Sequence, residues 1–94
     1  SMALEFLRLT DRGNQILPTQ AISEIKVDPE EGFVLFLVDY PFPIYMVNDK
    51  IRVRFSRLVK VLAKLYKEDK IKGVAEIRMN YAENKILVSR VGEA

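Results

Sequence analysis

The chain has 94 residues, 49% of them hydrophobic, and a formal net charge of +2, enough for one small domain with its own apolar core. It contains no histidine and no cysteine, which excludes disulfides, imidazole and thiolate metal sites, and the Ser-His and Cys-His nucleophile arrangements. No catalytic residue, cofactor or metal site is therefore expected, no apolar run approaches the roughly 20 residues that cross a bilayer, and nucleic-acid binding would have to come from how charge is distributed.

Ser1 and Met2 read as an expression-tag remnant, with residues 3–94 as a single domain cut from a longer protein. In residues 4–9, Leu4, Phe6 and Leu7 stand near helical spacing, and Asp11 with Gly13 closes the segment, which predicts a short helix. Residues 21–28 alternate Ile25 and Val27 against Glu24 and Lys26, a half-buried strand entering a Pro-, Glu- and Gly-containing hairpin turn. The returning segment, 33–38, is apolar at every position. It predicts a central strand covered on both sides, or one whose outer face meets a partner. Pro41 and Pro43 interrupt the ladder before a short strand at 44–47.

A helix is predicted from Asn48 or Asp49, either of which could accept hydrogen bonds from the first turn, to about Lys67. Its apolar stripe is Ile51, Phe55, Leu58, Val59, Leu62, Leu65 and Tyr66. Two more strands follow, at 74–81 and 85–91, joined by a turn centred on Glu83 and Asn84. That turn pairs Tyr81 with Ile86 and Met79 with Val88, and places Ile77, Met79, Tyr81, Ile86 and Val88 on one face. The other face carries Glu76, Arg78, Asn80, Leu87, Ser89 and Val91, a mixture unlike an ordinary solvated surface. The order predicts an α+β fold: a mainly antiparallel sheet with one long helix packed on it and a short N-terminal helix.

The long helix carries Lys50, Arg52, Arg54, Arg57, Lys60, Lys64 and Lys67, and no acid lies between Asp49 and Glu68. Such a helix over 50–67 could follow a phosphate backbone, which makes a small nucleic-acid-binding domain the alternative function. A solvated helix face explains the same charges, since lysine and arginine stems cover apolar edges with their heads in water. There is no Gly-rich phosphate loop, aromatic platform or helix-turn-helix pair beside it, so no nucleic acid is expected. Ser56 and Lys60 have dyad spacing, but nothing desolvates the lysine. Asp28, Glu30 and Glu31 lack the alternating oxygen ligands of a calcium loop.

The ordered segments 22–28, 32–39, 43–47, 52–65 and 73–90 together resemble the extracytoplasmic β domain of the bacterial cell-division family FtsQ, or DivIB. The resemblance runs from about Leu4 to Val91. It is carried by Ser23-Glu24-Ile25, Gly32-Phe33, the strand before the helix, Arg57-Leu58 with Val61-Leu62 and Leu65, and Ile77-Arg78. Where the family commonly has a glycine after the short strand, this chain has Met46-Val47-Asn48. Where an aromatic often follows the hairpin arginine, it has Met79, with Tyr81 two residues on.

The resemblance implies a non-enzymatic divisome scaffold, in a parent protein anchored in the inner membrane by a single span, with this domain in the periplasm. The family's POTRA domain, transmembrane helix and cytoplasmic tail lie outside this sequence. It further implies recruitment of the partner proteins FtsB and FtsL during septum formation, by strand addition at the C-terminal edge. The implied partner-binding residues are Arg78, Met79, Tyr81, Leu87, Ser89 and Val91, with Arg78 meeting an acidic group. Lys85 and Arg90 could instead guard an unoccupied edge. The isolated domain is expected to be monomeric, although an exposed edge can also pair with its own copy.

Overall fold

The computed structural model describes residues 1–28, 32–82 and 85–92. Its elements are α1 (Met2–Thr10), β1 (Ile22–Asp28), β2 (Gly32–Leu37), β3 (Pro43–Met46), α2 (Ile51–Lys67), β4 (Val74–Ala82) and β5 (Lys85–Arg90), with single 3-10 turns at Thr19–Ala21 and Ile71–Gly73. The five strands lie in the order β1-β2-β3-β4-β5. All neighbours are antiparallel except β3 and β4. A parallel pair needs a long crossover, which α2 supplies. The α+β fold expected from the sequence is the one observed.

Burial shows which face of the sheet is covered. Phe33, Leu35 and Leu37 on β2, Ile44 and Met46 on β3, and Ile77 and Met79 on β4 are buried together with Phe6 of α1 and Leu58 and Leu62 of α2. These alternate strand positions make one inner face, and both helices pack on it. Leu58 and Leu62 are fully buried, each contributing about 1.5–3 kcal/mol relative to exposure.

The buried stripe of α1 differs from the expected one. It is Ala3, Phe6, Leu9 and Thr10, whereas Leu4 is 49% exposed. Phe6 decides the orientation, with its ring edge-on to Phe33 at 5.5 Å and to Phe55 at 5.4 Å, geometry favoured by the aromatic quadrupole. The buried Thr10 hydroxyl is satisfied by the Leu7 carbonyl and the Thr19 hydroxyl. Ser1, assigned to a tag remnant, caps this helix by accepting from the Leu4 amide at 3.2 Å, and Met2 packs against the core.

Two further expectations are corrected. The N-cap of α2 is Lys50, in the left-handed region at φ 47°, and no side chain caps the helix. Asp49 is instead held by Arg54, one turn inside the helix, at 2.6 Å. The β4–β5 register is Ile77 with Val88 and Arg78 with Leu87, not Met79 with Val88. Irregular steps occur between Val74 and Glu76 and between Arg78 and Ala82. Ala82 pairs with Lys85, the register the turn alone would set, so the second irregularity shifts the remaining pairs by two. A shift of two keeps every side chain on its face, and Ile77, Met79, Ile86 and Val88 all reach the core as expected. Glu83 and Asn84 lie outside the described residues.

Gly32 opens β2 at φ +129°, and a Cβ there would stand 2.1 Å from the Met46 carbonyl oxygen. A side chain is therefore excluded where β2 passes the end of β3.

Candidate functional site: the open sheet face and its C-terminal edge

The residues pointing away from the helices form rows across the sheet. The pairings Lys26 with Val34, Val34 with Tyr45, Tyr45 with Arg78 and Arg78 with Leu87 place five side chains in one line from β1 to β5. A second row runs Glu24, Phe36, Pro43 on β1 to β3, and Glu76 with Ser89 on β4 and β5. Among the described residues, no helix or strand covers this face. Val34, Phe36, Tyr45 and Leu87 are nevertheless half-buried by one another and by the long polar side chains beside them. The apolar second strand is thus not covered on both sides among the described residues.

Arg78 stands at the centre of the β4 part of this surface. Its guanidinium carbon lies 4.2 Å from the Tyr45 ring centroid, and its Nε donates to Glu76 Oε2. The ring lies against the guanidinium and Glu76 takes its Nε–H, leaving a half-exposed cation with further donors. Beside it a cleft of about 380 Å³ is lined by Val34, Tyr45, Val47, Gly32, Asp28 and Arg78.

The implied partner residues divide as follows. Arg78 and Leu87 are direct neighbours across β4 and β5, and Ser89 is opposite Glu76 on the same face. Val91 is 71% exposed just beyond β5, with its amide donating to the Gly73 carbonyl at 2.8 Å. Met79 is corrected: it is 2% exposed and belongs to the inner face, so its side chain cannot meet a partner without unpacking the core. Tyr81 lies on β4, and its side chain is outside the described residues.

No described strand pairs with the far side of β5. Arg90, one of the two charges expected to guard that edge, turns its guanidinium under the domain to donate to the Lys70 carbonyl at 3.2 Å, over Gly73. Lys85 stays exposed at the other end of the strand. Sequence reasoning missed Tyr45 as the stacking partner of Arg78. The parallel β3–β4 pairing that joins them leaves no local signal.

The basic helix divides differently from its appearance in sequence. Arg54 has a side chain only 12% exposed and is bound into the fold. It donates to Asp49 Oδ1 at 2.8 Å, to the Asp49 carbonyl at 3.0 Å and to the Met79 carbonyl at 3.0 Å. Arg52, Lys60, Lys64 and Lys67 are exposed, and Arg57 is half-buried. Ser56 is exposed beside Lys60, so no burial activates the lysine. Glu30 and Glu31 of the acidic turn lie outside the described residues, and the described residues hold no acidic cluster fit for a metal. Tyr66 packs on Tyr40 at 5.9 Å. Burial, with Tyr40 and Asp39 nearby, raises its phenol above the ordinary value.

Searches with protein-family models and against curated proteins return no match to this chain.

Proposed function

We propose that this domain is a non-enzymatic docking module of the FtsQ or DivIB type, which recruits FtsB and FtsL to the division site from a parent anchored in the inner membrane. The observation that supports it most is the juxtaposition of Arg78 with Leu87 beside the edge of β5, with which no further described strand pairs. An incoming segment pairing with β5 satisfies its edge amides and carbonyls. The same segment then passes within reach of Leu87, Ser89 and Arg78, whose stacked guanidinium offers charge-assisted hydrogen bonds to an acidic side chain. The divisome assignment rests on the ordered resemblance of the segments. The docking mode rests on the edge and the row.

The test is an NMR titration of the isotope-labelled domain with the membrane-distal segment of the FtsB from its own organism. Shifts concentrated on residues 78–91 are expected. A silent hairpin, with shifts on residues 50–67 when an oligonucleotide is added instead, would replace docking by nucleic-acid binding through the basic helix.

A further inference from the structure

The sheet has a second uncovered edge, at the opposite side from β5. Strand β1 has no described neighbour beyond it, and it presents Ser23, Glu24, Lys26 and Val27 as exposed side chains. Uncovered edges are commonly protected by charges that repel a second copy. The charges here do the reverse. Glu24 and Lys26 stand symmetrically on either side of Ile25, both on the open face, opposite Phe36 and Val34 respectively. Their mutual contact is loose, 4.0 Å between side chains 54% and 65% exposed, and the Lys26 ammonium also lies 5.4 Å over the Phe36 ring, a weak exposed contact that a cross-strand carboxylate can replace.

We propose that β1 pairs antiparallel with β1 of a second copy of this chain, about a two-fold axis through Ile25. Under that axis each residue meets the one equally far on the other side of Ile25. Glu24 of each copy lies opposite Lys26 of the other, so two opposite-charge cross-strand pairs form on the open face. Ile25 meets its own copy; the pairing is regular over Glu24, Ile25 and Lys26 and ends at Ser23, which lies in the irregular step of β1 and donates to the Phe36 carbonyl. A register slipped by two toward either end places Glu24 opposite Glu24 or Lys26 opposite Lys26, so the charges select the centred register. The two sheets then form one continuous sheet with a β5 edge at each end. Docking at β5 and self-pairing at β1 use opposite edges, so one can fail without the other. The pairing is the alternative to the monomer expected from sequence.

Sedimentation equilibrium of the 94-residue chain at low ionic strength, from micromolar to millimolar concentration, tests the proposal. The expected result is a monomer–dimer equilibrium that weakens with salt. K26E and E24K should each raise the dimer Kd by about tenfold or more, since each sets like charges face to face. Mixing the two variants should restore association as a heterodimer, and the double swap E24K/K26E should restore the homodimer. These exposed positions leave the core intact, and amide spectra of each variant check that. A monomer throughout the range overturns the proposal, as does a dimer indifferent to the swaps, which would be one formed through another surface such as β5.

Discussion

The guanidinium carbon of Arg78 lies 4.2 Å from the centre of the Tyr45 ring, across the parallel junction of β3 and β4. The ring therefore presets the side chain before any partner arrives. Arg78→Glu should cost about 1 kcal/mol or less in stability, because both its contacts are half-exposed. Under the proposed docking, it should lower affinity for the FtsB segment at least about tenfold, by placing an acid where the partner's acidic group would bind. Arg78→Lys, which keeps the charge but loses the planar fork, should fall between. Equal binding by wild type and Arg78→Glu, measured by calorimetry, removes this residue from the site.

Arg54 should behave unlike its neighbours on α2. Arg54→Ala removes hydrogen bonds to Asp49 and leaves the Met79 carbonyl without its donor, with an expected loss of about 1–3 kcal/mol. Arg57→Ala and Lys60→Ala should stay within about 0.5 kcal/mol of wild type and leave partner binding unchanged. Urea denaturation of the three variants distinguishes the structural cation from the solvated ones.

Gly32→Ala should be among the most damaging single-methyl additions in the chain. The new Cβ would meet backbone, the Met46 carbonyl oxygen, in a conformation side chains rarely adopt. Strain alone predicts a loss of about 1–3 kcal/mol, and the displaced β2–β3 contact adds to it. A midpoint unchanged in urea would show that this close approach does not occur.

Stability should also respond to alkali through Tyr66. Its phenol is raised in the folded state by burial and by Tyr40 and Asp39, so the unfolded chain releases this proton first. The contribution is complete below the ordinary tyrosine pKa of about 10 and is lost as pH rises through the folded value. Tyr66→Phe should flatten that loss, as followed by thermal unfolding at a series of alkaline pH values.

The elements of this fold are legible because their periods are clean: Leu58, Leu62 and Leu65 mark the buried side of α2, and Ile25, Leu35 and Ile44 the inner face of the sheet. What stayed hidden depends on contacts distant in sequence. Asp49 reads as a helix cap until Arg54 claims it. Leu4 and Phe6 share a helical spacing in sequence, and only the contacts of Phe6 with Phe33 and Phe55 show which of them faces the core. The β4–β5 turn dictates one register, and the irregularity before Ala82 replaces it with another that serves the same face. At the site, Arg78 and Leu87 were legible from alternation, whereas Met79 was assigned to a contact its own inward-facing position forbids. Tyr45 could be found only once β3 was seen to lie beside β4.

That parallel junction also fixes an order of events. Strands β1, β2 and β3 meet their sequence neighbours, as do β4 and β5, but β3 and β4 come together only after the chain has closed a loop containing α2. Closing the larger loop costs more chain entropy than forming either hairpin, so the two local halves are expected to form before their union. Tyr45 belongs to one half and Arg78 to the other. A partner that recognised the Tyr45–Arg78 pair would therefore be reading completion: a half-folded chain has Arg78 and Glu76 on β4, but not the Tyr45 ring that the parallel junction brings beside them.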